Sequence, residues 1–411
     1  MTKVITYIYE SVALWGGTLN NGVKSGLAYL NANNSSGNRN ANIGSQLSLL
    51  IIFLLCYYPG PCQNINSQNS AGRFFTESSM NYKQMKRYGN LYDQVYDYSN
   101  IESAHYNASK NKMHYTEVEM INKNPKYYLT NIQNQLQQGL FKTSDYKIFK
   151  KRCGNKTRII YKLPYYPDRI VHHCIMQVIE PIWYKLLIRD TFSAIKGRGI
   201  HDGVYRVKKA LNDINGTNYC LKFDIQKFYP SVDHDILKSI IRHKIKDDDL
   251  LGLLDEIIDS ASGIPIGNYL SQYFGNIYLA YFDHWVKEEM HVHYYYRYCD
   301  DIVILSHNKY QLWYYFNCIS DYLAKNLRLT IKSNYQIFPV DSRGIDFLGY
   351  KFYHDYILVR KSIKQNLKHK INLINKGIII DNEIIRSIYA SYNGWLKFAN
   401  SYHLSKKYLQ C

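Results

Sequence analysis

Tyr298-Cys299-Asp300-Asp301, preceded by Tyr294-Tyr295-Tyr296-Arg297 and followed by Ile302-Val303-Ile304-Leu305, decides the reading of this chain. Two aromatic or β-branched runs meeting at a short polar step predict a β-hairpin with carboxylates at its tip. An Asp-Asp pair alone is equally a solvated turn or a helix cap. A second acid changes the balance. Leu221-Lys222-Phe223-Asp224 ends another predicted strand, and Asp224 beside Asp300 would form a site for two divalent ions about 4 Å apart, an arrangement suited to phosphoryl transfer.

Size and charge are consistent with such chemistry on a polyanion. The 411 residues suffice for two or three subdomains. The 51 Lys and Arg against 33 Asp and Glu leave a formal charge of +18, which nucleic acid would offset through counterion release. The 42 tyrosines supply stacking surfaces for bases as well as ordinary core. The eight cysteines are scattered without a Cys-x-x-Cys pair and read as reduced, buried or incidental thiols. The apolar run from Leu47 to Tyr58 is too short to cross a bilayer and lacks the positive flank of an export signal. The expectation is a cytoplasmic protein with no membrane partner.

Outward from the hairpin, residues 1–84 read as a low-complexity, Asn-rich, disordered extension, typified by Asn31-Ala32-Asn33-Asn34-Ser35-Ser36-Gly37-Asn38. From Met85 the chain has the pattern of a folded domain. Asn124-Pro125 opens a helix with Tyr128, Leu129, Ile132 and Leu136 on one face and Gly139 at its end. Two short strands flank Cys153-Gly154-Asn155-Lys156 as a basic hairpin. Asp168 is expected to cap a helix buried through Ile170, Val171, Cys174, Ile175, Val178 and Ile182. Ile236, Leu237, Ile240 and Ile241 mark a helix that would cover the sheet. The loop Gly263-Ile264-Pro265-Ile266-Gly267 allows close approach of a ligand or base pair. Leu329-Thr330-Ile331, Gln336-Ile337-Phe338 and Phe347 to Phe352 read as strands. The end is basic and helical, with Ile363, Leu367, Ile371 and Ile374 facing inward.

These motifs taken in order, Phe223-Asp224-Ile225 with Phe228-Tyr229, Ile264-Pro265-Ile266-Gly267 with Ser271-Gln272, Tyr298-Cys299-Asp300-Asp301, and Phe347-Leu348-Gly349, resemble a reverse transcriptase from about Met85 onward. The resemblance implies an α+β right-hand fold of fingers, palm and thumb. Its antiparallel palm sheet is covered by helices, with fingers and palm over residues 85–355 and a basic helical thumb over 356–411. It implies RNA-directed DNA polymerase activity with two Mg²⁺ ions, for which Mn²⁺ can substitute. Asp224 and Asp300 would be the main metal ligands, with the Ile225 carbonyl and Asp301 in support. Lys156 and Arg158 match the fingers residues that hold the triphosphate. Tyr229 falls where the family places its steric gate against a 2′-hydroxyl, although a purely structural tyrosine before Pro230 is the alternative. Ile266, Gly267 and Gln272 would lie beside the nucleotide. Lys332 is a candidate general acid for pyrophosphate, since Asn334 occupies the place where relatives often carry lysine.

Within the family the chain most resembles reverse transcriptases of diversity-generating retroelements. Pro265-Ile266-Gly267 stands where bacterial intron-encoded enzymes generally read Pro-Gln-Gly, and Ser391-Tyr392-Asn393-Gly394-Trp395-Leu396 also resembles that group. Trp15 to Leu47 resembles the variable segment of lectin-like target proteins. The frame would then run backward through a template repeat, the enzyme proper starting at Met80 or Met85; a genuine disordered or lectin-like tail is the alternative. The implied partners are an RNA template, a DNA or RNA primer, dNTPs and a small basic accessory protein. Two other readings stay open: a retron, group II intron-like or phage-defence reverse transcriptase, and a non-catalytic, maturase-like RNA-binding protein.

Overall fold

The computed structural model describes residues 86–153 and 156–409. The Asn-rich extension 1–84 and the suggested starts at Met80 and Met85 lie outside the described residues. Among the described residues, the first helices are α1 (Tyr92–Tyr96), α2 (Tyr98–Ser109), α3 (Thr116–Lys123) and α4 (Pro125–Gln137). The Asn124 side chain accepts from Tyr127 N–H and Pro125 occupies the first turn, as its fixed φ favours. Leu129, Ile132 and Leu136 are buried together, the expected face of this helix.

β1 (Lys147–Cys153) and β2 (Lys156–Lys162) pair antiparallel with Lys151 opposite Arg158. α5 (Ile170–Tyr184) buries Ile170, Val171, Cys174, Ile175 and Ile182. Asp168 does not cap it. The helix start carries no side-chain cap, and the wholly buried Asp168 carboxylate accepts from Ser144 N–H at 3.0 Å, holding the approach to β1. A buried carboxylate needs a donor, and this one lies across the chain.

α6 (Ile200–Leu211) leads to β3 (Tyr219–Asp224), α7 (His234–Arg242), α8 (Asp248–Asp259), α9 (Ser271–Tyr278) and α10 (Ala280–His284). α7 buries Ile236, Leu237, Ile240 and Ile241 as expected, and the Asp233 side chain accepts from Ile236 N–H at its start. β4 (Tyr294–Tyr298), β5 (Asp301–Ser306), α11 (Lys309–Leu327) and β6 (Gln336–Pro339) follow. The sheet order is β4-β5-β3-β6, antiparallel throughout. Alternation along the strands gives this sheet two buried faces. Leu221, Phe223, Ile302 and Ile304 enter the larger core with α5 and α7–α11. Cys220, Val303, Leu305 and Phe338 enter a second core with α6 and a small three-stranded sheet.

That small sheet comprises β7 (Ile345–Phe347), β8 (Tyr350–Phe352) and β9 (Ile357–Val359). It revises the expected strand over Phe347 to Phe352. Leu348 and Gly349 both have positive φ and turn the chain into a hairpin. The expected strand Leu329-Thr330-Ile331 is reduced to one bridge, Ile331 to Ile225. Three helices end the chain: α12 (Lys361–Asn375), α13 (Asn382–Leu396) and α14 (Tyr402–Tyr408). The mixed helix and antiparallel-sheet class is as expected. Among the described residues, no helix is long and apolar enough to cross a membrane.

The loop before α9 is held against the basic hairpin by Tyr161 N–H, which donates to Ile266 O at 2.8 Å. Gly267 adopts φ +119°, and a Cβ there would lie 2.5 Å from Tyr161 O. Glycine is therefore required both by conformation and by close approach. Gly267→Ala is expected to lower unfolding free energy by about 2 kcal/mol, read from the urea midpoint. An unchanged midpoint would mean that β2 does not seat against this loop.

Candidate active site

β3 ends at Asp224 directly opposite Asp301, the first residue of β5. Tyr298 closes the same hairpin against Asp301, leaving Cys299 and Asp300 as a two-residue turn. Cys299 takes φ +54°, a left-handed conformation unusual for a residue with a Cβ. Ile225 N–H donates to Asp300 O at 3.3 Å and ties the turn to the chain beyond β3. Three aspartates thus stand at one end of the sheet although they come from two distant segments.

Their electrostatics show the cost. Burial pushes the Asp300 carboxyl above its ordinary value, and the Asp224 charge adds to the rise, against the cationic Lys332 and Arg158. Burial raises Asp301 further, to about 6, opposed by Lys222 and reinforced by Asp224. Lys222 Nζ lies 3.2 Å from Asp301 Oδ1 and also donates to Asp346 O on β7. Lys332 N–H donates to Asp224 O at 2.9 Å, and its ammonium lies 3.4 Å from Asp224 Oδ2. Asn334 is exposed, so it is Lys332 that faces the carboxylates.

Of the other expected residues, Tyr229 is half-buried with its hydroxyl 3.9 Å from Cys299 Sγ, at the hairpin tip. Arg158 is exposed on β2, and its charge acts on Asp300. The side chain of Lys156 lies outside the described residues. Ile266 is half-buried, with its carbonyl engaged by β2. Gln272, exposed on α9, lines a cavity of about 840 Å³ with Tyr298, Phe192, His201 and Trp395. Gly267 serves the packing of β2 described above.

Sequence reasoning missed Lys222 as a site residue. Strand alternation contains the signal, since Lys222 stands two positions before Asp224 and shares its face. It also missed Arg297, Asp283 and Asn276. Arg297 is wholly buried on β4 and pairs with the wholly buried Asp283 of α10. No local pattern announces such a partner.

The donor chemistry fits a hard divalent cation, since carboxylate oxygens are the ligands such ions select. Asp301 Oδ1 is buried without a hydrogen bond, its neighbouring cation being the Lys222 ammonium at 3.2 Å. Among the described residues no three His, Cys, Asp or Glu side chains converge as a ready-made metal cage. Asp224 and Asp301 lean on Lys332 and Lys222 instead.

Comparison with known proteins gives four findings. Residues 148–352 match the family described as Reverse transcriptase (RNA-dependent DNA polymerase). Retron Ec73 reverse transcriptase of Escherichia coli is 23% identical over 288 residues, covering 64% of this chain and 86% of that protein. Protein YkfC of Escherichia coli (strain K12) is 24% identical over 155 residues, 34% of this chain, so the chain spans 40% of that relative's length. Among solved structures, apo telomerase from Candida Tropicalis is similar with a TM-score of 0.42 and 12% identity, covering 62% of this chain and 57% of that one.

The raised Asp301 carboxyl carries a pH signature. The folded chain holds its proton up to about pH 6, whereas an ordinary aspartate loses it near 3.8, so the native state binds more protons between those values. Stability conferred by Asp301 therefore falls as pH rises from about 4 to about 6. In metal-free buffer, urea unfolding at pH 4, 5 and 6 should show Asp301→Asn gaining on the wild type as pH rises. A constant difference would exclude the raised value.

Proposed function

We propose that this chain, whose residues 148–352 match the reverse transcriptase family, is an RNA-directed DNA polymerase that copies a template-repeat RNA in a diversity-generating retroelement. The observation that carries the polymerase reading is the register of β3 on β5, which sets Asp224 against Asp301 with Asp300 at the adjoining turn. The subtype reading is supported by Ile266 in the Pro265-Ile266-Gly267 loop and by the Ser391-to-Leu396 segment.

Asp224 and Asp300, aided by the Ile225 carbonyl and Asp301, would hold two Mg²⁺ ions, or Mn²⁺ in their place. Such ions activate the attacking oxygen and stabilise the leaving group. The chain's own residues do the rest. Arg158 offers a planar fork to the triphosphate, and Lys156 a point charge. The Tyr229 ring, beside Cys299, would close the space a ribose 2′-hydroxyl needs. The primer 3′-hydroxyl attacks the α-phosphate, and Lys332, beside Asp224, would pass a proton to the departing pyrophosphate. Gly267, in the loop before α9, and Gln272, on α9, would lie beside the nucleotide. Isoleucine at 266 lacks the amide with which glutamine could contact a base pair, so selection is looser.

Incubating the full chain with a primed RNA, dNTPs, Mg²⁺ and a small basic accessory protein should yield cDNA with errors gathered opposite template adenines. Asp300→Ala should reduce synthesis by about 10³-fold or more, and cDNA made equally by this variant would remove the polymerase reading. A faithful or self-primed product would favour a retron, group II intron-like or phage-defence enzyme, which the similarity to the retron reverse transcriptase also supports. Ile266→Gln should cut adenine misincorporation by about tenfold in the same sequencing assay. An unchanged spectrum would acquit this position.

A further inference from the structure

We infer that Arg297, clamped by Asp283 and Asn276, is a positioning residue that holds the Cys299-Asp300 turn in its working geometry by donating to the Cys299 carbonyl. The inference rests on the polymerase reading of that turn.

Arg297 stands on β4 opposite Ile302, two residues before Cys299, with its side chain reaching Asp283 of α10 and Asn276 of α9. It is wholly buried. Its Nε donates to Asp283 Oδ1 at 2.7 Å and its Nη1 to Asn276 Oδ1 at 3.3 Å. Nη1 also reaches forward to Cys299 O at 3.0 Å. Asp283 is held in turn by the Tyr295 hydroxyl at 2.6 Å and the Thr191 hydroxyl at 3.3 Å. Asn276 donates to Ser193 O at 2.6 Å, and Ser193 Oγ meets Cys299 Sγ. Both the carbonyl and the thiol of Cys299 are thereby fixed to the same cluster.

A simple core staple for β4 is the competing account. It explains the ion pair poorly, because an apolar side chain of similar volume would hold the strand without desolvating two charges. The pair does provide an oriented donor at a backbone carbonyl whose residue sits at φ +54°. A left-handed residue bearing a Cβ persists only where its surroundings over-determine it. The backbone of β4 is braced independently, with Arg297 N–H donating to Asp190 O and Phe192 N–H to Arg297 O. The seating of β4 therefore does not rest on the guanidinium alone. Small errors in placing a reacting group cost large factors in rate.

Arg297→Lys keeps a cation for Asp283 but removes the fork that reaches the carbonyl. Asn276→Ala removes the second brace and leaves the ion pair. Each variant would be tested in the full chain by steady-state cDNA synthesis, primer-template binding and mass-spectrometric mapping of iodoacetamide labelling. We expect kcat to fall about tenfold with KM for dNTP and primer-template Kd unchanged. Labelling of Cys299 should accelerate several-fold while the wholly buried Cys220 stays protected. Wild-type kcat in both variants, or wild-type labelling of Cys299, overturns the inference. If Cys220 also becomes reactive in Arg297→Lys, that variant has unfolded and Asn276→Ala decides. Should the wild type itself make no cDNA, the polymerase reading falls, and the Cys299 labelling rates alone decide whether the clamp holds the turn.

Discussion

Carboxylates on directly opposed residues of neighbouring strands repel each other, and the rest of this structure is arranged around that repulsion. Asp224 and Asp301 share a register position, and Asp300 adjoins them at the turn. Nothing in local propensity favours such a meeting. It persists because β3 and β5 lie in the middle of a four-stranded sheet whose two faces enter separate apolar cores. Apolar burial on both faces supplies the free energy that like charges at one end consume. Lys332 and Lys222 lean on two of the three carboxylates, and the charge of Arg158 reaches the third.

The same sheet end is also where the backbone departs from ordinary geometry. Cys299 and Lys227 have positive φ, and Gly263 and Gly267 do as well. Gly263 lies so close to the chain after β3 that a Cβ would stand 2.7 Å from the carbonyls of Tyr229 and Pro230. These close approaches bring the loop before α9, the residues following Asp224 and the hairpin tip into one neighbourhood. Tyr229 is positioned by this packing, its carbonyl accepting from Ile264 N–H at 2.8 Å while its hydroxyl faces Cys299.

The link from the carboxylates to the basic C-terminal helices is equally concrete. Lys222 spans from Asp301 to the carbonyl of Asp346 on β7, and Arg360, just ahead of α12, donates to the Asp346 carboxylate at 2.6 Å. The Trp395 ring of α13 packs so closely on Gly349 that a Cβ there would lie 2.6 Å from it. The small sheet is therefore a joint between the aspartate-bearing hairpin and the last helices.

Periodicity in the sequence determined the strand that ends in Asp224, the hairpin that bears Asp300, and the helices whose apolar faces include Leu129 and Ile236. Those signals are local, because a pleat or a helical turn repeats within a few residues. The tertiary structure alone decided that Asp168 would serve Ser144 rather than a helix start, and that Leu348 and Gly349 would turn rather than extend. It alone chose Lys332 over Asn334 to face Asp224, and brought Asp283 from a distant helix to Arg297. Each of these outcomes depends on which donor or apolar surface lies across the chain. A buried polar group takes the partner that folding brings within reach, whatever its neighbours in sequence.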